Sequence, residues 1–376
     1  MHLFLEALDV WLFRDGRPFD AFSDHRAESV FPPYPSVMQG AIRSHHLVVK
    51  GVDLRDGKQI EATVGTVDDY KTLRMRGPFL ARKENGQIVR YLPVPAHAVP
   101  GKDGYVTLSP TQLPATVKTS APTAMLLVSN EEPQKKEFGQ WLRENQVLQL
   151  LKQETKAPIV GKSETKFFAR ESRLGIARND ARRTDEGGAL YEVEFIRPCK
   201  NVGLLLEVNG YDGWPQTGVM RIGGEGRAAR FEQVSNLSIP SPSMGEGKGE
   251  GEKTNSRTDS SSVSPWPSPP DPLPQRFLIY FATPTYFVNG WLPESWEKFF
   301  DGEVTLQSAA LNRFQSLGGF DLAANNHKPS RRYIPAGAVY FFEARGEAAL
   351  KSGLTQNAVT DLGAEIGFGQ VLVERW

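Results

Sequence analysis

Arg173–Pro198, RLGIARNDARRTDEGGALYEVEFIRP, has the grammar of a long β-hairpin carrying an exposed cationic segment. Leu174, Ile176 and then Tyr191, Val193 and Phe195 alternate with polar residues, the period-2 pattern of half-buried strands. Between them lie Arg178, Arg182 and Arg183, followed by Thr184-Asp185-Glu186-Gly187-Gly188, a run of turn formers. Such a finger projects a positive surface from a rigid base and suits a phosphate backbone better than a small metabolite. The same composition also describes a solvated surface hairpin with no ligand.

The surroundings sharpen the charge argument. Lys152–Arg183 holds nine Lys and Arg against four acids, in a chain of 376 residues whose Lys+Arg and Asp+Glu are both 44. A nucleic-acid surface here is therefore a local patch, and a general DNA-coating role is disfavoured. With 39% hydrophobic and 10% aromatic residues the chain reads as globular, long enough for two domains. The single Cys199 excludes a disulfide framework and a cysteine-rich zinc site and fits a reducing cytoplasm. MHLFLEALDVWLFR carries Glu6 and Asp9 and lacks a basic leader, so no signal peptide is expected; no apolar run is long enough to span a membrane.

Outward from the hairpin, residues 2–13 read as a strand and Asp15-Gly16 as a two-residue turn. Pro32, Pro33 and Pro35 delay helix until Ser36, placed to cap a helix over 37–50 whose inward face is Val37, Ala41, Ser44 and Val48. Glu84-Asn85-Gly86 signals a hairpin between 79–81 and 89–92, and 137–155 has helical spacing. Strands are predicted at 201–208, 220–222, 228–234, 276–281, 339–343 and 370–374, with a short helix at 293–300. Residues 239–275, rich in Gly, Ser, Pro and charge, read as a disordered insertion or linker. The expected domains are therefore 1–238, the linker 239–275, and 276–376, in an α+β fold.

Catalytic templates fail one by one. Gly161-Lys162-Ser163 resembles the end of a P-loop, but Lys156 stands where its first glycine belongs. No HExxH or GxSxG occurs, and adjacent His45 and His46 point about 100° apart on a helix, a poor chelate. No metal site and no cofactor is expected. A metal-free ribonuclease needs only a histidine and a cation near a 2′-hydroxyl, and His25 beside Arg26 is the candidate. Gly223-Gly224-x-Gly226-Arg227 lies between two extended segments, where its N–H groups could meet an anion beside Arg227 and Arg230, or where glycine could serve turn geometry alone. Gly367-Phe368-Gly369 is read as structural. Ser36 at a helix N-terminus, with Gln39 and Arg43 in the next turns, could hold a phosphate or simply cap. Lys328, Arg331 and Arg332 are read as a solvated loop.

These pieces together resemble the RAMP superfamily of CRISPR-associated proteins and, within it, the Cas-five-like family of subunit three of the Cmr (type III-B) effector complex. The resemblance is carried by WLFRDGRPF (11–19), PYPSVMQGAIRS (33–44), the hairpin 173–198, RIGGEGRAARFE (221–232), YIPAGAVYFFE (333–343) and GFGQVLVERW (367–376). It implies two ferredoxin-like (RRM-related) domains with a protruding thumb hairpin at about Ile176–Leu190. It also implies binding of the 5′ repeat-derived tag of the crRNA, and contacts with the large Cas-ten-type subunit and the backbone RAMP subunit. RNA-binding residues carried over are Ser36, Gln39, Arg43, Arg173, Arg178, Arg182, Arg183, Gly223, Gly224, Gly226 and Arg227. The resemblance implies no catalysis; the alternative within the superfamily is a metal-independent crRNA-processing endoribonuclease.

Overall fold

In the computed structural model, residues 1–14, 26–114, 116–119, 122–154, 157–179, 184–236, 262–321 and 326–376 are described. The strands that organise them are β1 (His2–Ala7), β2 (Arg74–Glu84), β3 (Gln87–Pro93), β4 (Phe168–Asn179), β5 (Thr184–Pro198), β6 (Val202–Asn209), β7 (Thr217–Arg221), β8 (Ala228–Asn236), β9 (Ser262–Val263), β10 (Arg276–Phe281), β11 (Phe300–Ala310), β12 (Gln315–Asp321), β13 (Asn326–Tyr333), β14 (Val339–Leu350) and β15 (Val371–Arg375). Helices α1 (Pro35–Val49), α2 (Gly57–Val64) and α3 (Glu144–Leu151) complete an α+β chain in which sheet predominates.

The first sheet closes on itself. β1 pairs antiparallel with both β6 and β8, β6 pairs with β2, and β2 forms a hairpin with β3 through Asn85-Gly86. The ring is completed by β9, which runs parallel to β8 on one side and to β3 on the other. Closure leaves no open edge between β3 and β8. The five longer strands of the ring bury residues on both faces. Leu3, Leu5, Leu80, Leu204, Leu206 and Phe231 meet Met38, Ile42 and Leu47 of α1 on one side. Phe4, Phe79, Ile88, Leu205, Val234 and Val263 face the other way. This two-sided burial is why VGLLL, residues 202–206, is a continuous apolar run.

The second sheet has the order β11-β14-β10-β15. Its Leu278, Tyr280, Val339, Phe341 and Leu372 share one core with Phe4, Phe79, Ile88 and Leu205 of the ring and with Val147, Leu150 and Leu151 of α3. Tyr280 Oη donates to Pro93 O at 2.7 Å, and Arg76 Nε donates to Gln370 Oε1 at 2.8 Å, so polar bonds as well as apolar area join the sheets. On the opposite face Phe277, Ile279, Phe281, Tyr340 and Phe342 pack with Phe287 and Phe299. Burying each such aliphatic or aromatic side chain is worth about 1.5–3 kcal/mol.

Four expectations change. The helix after the prolines begins with Tyr34 as N-cap and Pro35 as its first residue, so Ser36 lies inside the helix and its side chain caps nothing. The most buried face is Met38, Ile42, His46 and Leu47; of the residues read as inward, Val37 and Ala41 pack partly buried against the same core, while Ser44 and Val48 are exposed, Val48 by 63%. The larger side chains win because they remove more apolar area from water. The long helix over 137–155 shrinks to α3, because Gly139 has φ 76°, outside helical space, and Trp141–Arg143 pairs with β3 instead. The low-complexity segment also ends earlier than expected. Residues 262–275 contribute β9, buried Leu273, and Trp266, whose ring stacks on Phe79 at 4.9 Å. Apolar anchors within a proline-rich run are what composition averages away. Residues 239–261, Asp15-Gly16 and His25 lie outside the described residues.

Candidate nucleic-acid interface

The hairpin is present as read. β4 and β5 pair antiparallel from Phe168↔Pro198 to Ile176↔Leu190, and after an irregularity from Arg178↔Asp185 to Asn179↔Thr184. Arg182 and Arg183 fall outside the described residues. At the root, Val193 and Phe195 pack with Val10, Leu12 and Ala27. Backbone bonds Trp11 N–H to Ile196 O and Ile196 N–H to Trp11 O, both 2.8 Å, tie that root to the segment following β1.

Phe195 is the pivot of a charged cluster. The guanidiniums of Arg173 and Arg227 each stand 4.7 Å from its ring centroid. Asp9 takes a 2.9 Å bond from Arg197 and lies 3.9 Å from Arg173 and 3.8 Å from Arg227. Glu171 accepts from Arg197 at 2.6 Å and from Arg173 at 2.6 and 2.8 Å. Hydrogen bonds from Arg197 and Arg173 hold its carboxyl down at about 2. Three arginines from the hairpin and the glycine turn are thus oriented by one carboxylate on the hairpin, Glu171, and one on the segment after β1, Asp9. Phe195, Arg197, Asp9 and Glu171 were missed by sequence reasoning, because nothing local links Asp9 to Arg197.

The glycine turn is built against the same place. Gly223 adopts φ 75°, and a Cβ there would lie 2.4 Å from Leu12 O. Gly224 N–H donates to Leu12 O at 2.8 Å, and Arg227 N–H donates to Gly224 O at 3.2 Å, so those two amides are occupied within the protein. Gly226, at φ 62°, has nothing within 4 Å of its would-be Cβ and is open to approach. Turn geometry therefore accounts for Gly223, while openness distinguishes Gly226. Gly367 has the structural role read for it: φ 104°, with Gly77 O at 2.4 Å from a would-be Cβ.

The helix residues separate from this cluster. Arg43 donates to Gly65 O at 3.0 Å, Thr66 O at 2.7 Å and Gln39 Oε1 at 3.3 Å, and lies over Tyr70. Gln39 and Arg43 hold the loop after α2 to α1. Ser36 instead lines a separate cleft with Arg74, Lys328 and Arg331. Lys328, Arg331 and Arg332 are not on a loop; they belong to β13, paired with β12. Among the described residues no three His, Cys, Asp or Glu converge as a metal site, and no helix is long and apolar enough to cross a membrane.

Residues 3–376, which include the hairpin, the glycine turn and both sheets, match the family model described as CRISPR-associated protein (Cas_Cmr3). The chain belongs to that Cas_Cmr3 family, as the sequence resemblance anticipated. No curated protein matches it. Among solved structures it is similar to a chain of a type III-B Cmr-beta complex bound to cognate target RNA and AMPPnP, with 14% identity, 91% of this chain and 86% of that chain covered, and a TM-score of 0.45. A second Cmr-beta structure, bound to cognate target RNA, gives 16% identity, the same coverage of 91% and 86%, and a TM-score of 0.43.

Proposed function

We propose that the protein is a non-catalytic, cytoplasmic RNA-binding subunit of a type III-B CRISPR (Cmr) ribonucleoprotein. It holds the 5′ repeat-derived tag of the crRNA and contacts the large Cas-ten-type subunit and the backbone RAMP subunit. The observation that carries this reading is the convergence of hairpin root and glycine turn on Phe195 through Arg173 and Arg227. The hairpin is anchored at its base, and the sequence from the end of β4 to the start of β5 carries Arg178, Arg182 and Arg183. Single-stranded RNA is gripped by cations on its phosphates and flat faces under its bases. Arg173 and Arg227 supply flat faces, and Gly226 leaves the turn open to close approach.

Two ferredoxin-like units, 1–238 and 276–376, are part of the same reading. Along the ring, β8-β1-β6-β2 follows the chain order last, first, third, second of these four strands, and β15-β10-β14-β11 repeats that order. The test is binding of tagged crRNA to the purified chain across a salt series. The variant Arg178→Ala/Arg182→Ala/Arg183→Ala should bind at least about ten-fold more weakly, with a log–log salt slope shallower by about 2. Unchanged binding removes the hairpin from the interface. Metal-independent cleavage of repeat RNA by the purified chain would replace this reading with the endoribonuclease.

A further inference from the structure

The repeated strand order exposes a second hairpin. In the ring, β4–β5 lies between β2 and β6; in the second sheet, β12–β13 lies between β11 and β14, the corresponding strands. β12 and β13 pair from Gln315↔Tyr333 to Asp321↔Asn326. Like the first hairpin, this one lays arginines over aromatic rings. Arg331 stands 5.3 Å from the Tyr286 centroid and donates to its hydroxyl at 3.2 Å, while Arg332 stands 4.8 Å from Phe314, which is 44% exposed.

The electrostatics of the two hairpins differ. At the first, Arg173, Arg197 and Arg227 are matched by Asp9, Glu171 and Glu225. At the second, Lys328, Arg331 and Arg332 are exposed and form no ion pair among the described residues. Beneath the hairpin lies a cleft of about 820 Å³, bounded by Ser36, Tyr70 and Arg74 on the α1 side and by Lys328, Arg331 and Tyr333 on the hairpin side. Its carboxylates are mixed in status. Asp361 is held by Lys298 at 2.5 Å, and Asp69 accepts from the Lys71 amide at 2.8 Å. Asp68 and Glu365 remain as acceptors in the wall.

We infer that this cleft, roofed by β12–β13, is a second single-stranded RNA site in which Lys328 and Arg331 hold phosphate and Tyr70 stacks a base. A free inorganic anion would not call for Tyr70 or tolerate Asp68 and Glu365. A nucleotide does both, since ribose hydroxyls and base amino groups donate to carboxylates while its phosphate meets the cations. The inference shares with the proposed function only the premise that the chain meets RNA.

The experiment uses the full chain, a fluorescein-labelled tagged RNA, and the same RNA carrying 4-thiouridine for photo-crosslinking. Lys328→Gln/Arg331→Gln should weaken binding roughly ten-fold and flatten the salt slope by about 1.4, two contacts at about 0.7 each on a single strand. Tyr70→Ala should weaken it roughly ten-fold at unchanged slope. Crosslinks on the unsubstituted chain should include peptides containing Tyr70 or 328–333, a readout that no folding defect can mimic. If those peptides stay unlinked and Lys328→Gln/Arg331→Gln binds normally while the Arg178/Arg182/Arg183 variant is weakened, the second site falls and the proposed function stands. If the chain binds and crosslinks no RNA at all, both fall. If Lys328→Gln/Arg331→Gln keeps RNA affinity but loses a protein partner of the complex, the cations serve that partner and this inference is overturned.

Discussion

The guanidinium of Arg227 lies 4.7 Å from the ring centroid of Phe195, joining a glycine turn to a hairpin root that precedes it in the chain. Arg173 sits at the same 4.7 Å from the same ring. The ring is only 3% exposed, so both cations act in a partly desolvated setting, where such contacts are strongest. Phe195 thereby fixes where the hairpin leaves the body of the protein.

Phe195→Leu keeps most of the buried area but removes the π face. The expected cost is about 1–2 kcal/mol, read as a lower urea midpoint at unchanged m-value. Amide exchange along β4 and β5 should accelerate more than along β6. A variant whose midpoint and exchange match the parent would show that the arginines do not depend on the ring.

Asp9→Asn separates architecture from charge. Asp9 faces Arg173, Arg197 and Arg227, yet its side chain is 54% exposed, so its ion pairs contribute no more than about 1 kcal/mol. Removing the carboxylate unmasks positive charge beside the hairpin. Thermal stability should barely change, while affinity for tagged RNA rises and the salt dependence steepens by about 0.7. Weaker binding at unchanged stability would mean that Asp9 positions the arginines rather than masks them.

The hairpin was legible because alternation over β4 and β5 is local, and Asn85-Gly86 announced the β2–β3 turn for the same reason. The charge cluster was not, since Asp9 and Arg197 stand 188 residues apart and no periodicity connects them. Closure of the ring rests on Ser262 and Val263, two residues whose pairing leaves no pattern, inside a segment whose composition argues for disorder. The inward face of α1 is only half legible: Val37 and Ala41 pack at its margin, whereas Met38, Ile42 and Leu47 carry the area. Lys328, Arg331 and Arg332 looked like a loop because Pro329 interrupts the strand pattern, although an edge position tolerates it.

Trp266 should secure the contact between ring and second sheet. It stacks on Phe79 at an interplanar 11°, lies 5.1 Å from Arg90 and 5.7 Å from Arg76, and donates Nε1–H to Val371 O at 3.2 Å. Trp266→Ala removes all four contacts, with an expected loss of about 3 kcal/mol. Intrinsic fluorescence and urea unfolding check this, and a loss below about 1 kcal/mol would make residues 262–275 a passive return of the chain.

His97 gives the chain an acid-sensitive joint. It is fully buried, edge-on to Phe341 at 5.6 Å, and neither ring nitrogen has a partner. Burial pushes its pKa down from 6.5 to about 4, so the folded protein keeps the ring neutral while the unfolded chain protonates it below about 6.5. In that window the unfolded state binds more protons. Stability is therefore full above pH 6.5 and falls as pH drops toward 4, by up to about 3 kcal/mol. His97→Phe removes the proton acceptor and should flatten this acid limb in urea unfolding measured at pH 7, 6, 5 and 4. A smaller limb will persist, because burial also lowers His2, His45 and His46. If His97→Phe is as acid-sensitive as the parent and no less stable at pH 7, the joint between the sheets does not titrate through His97.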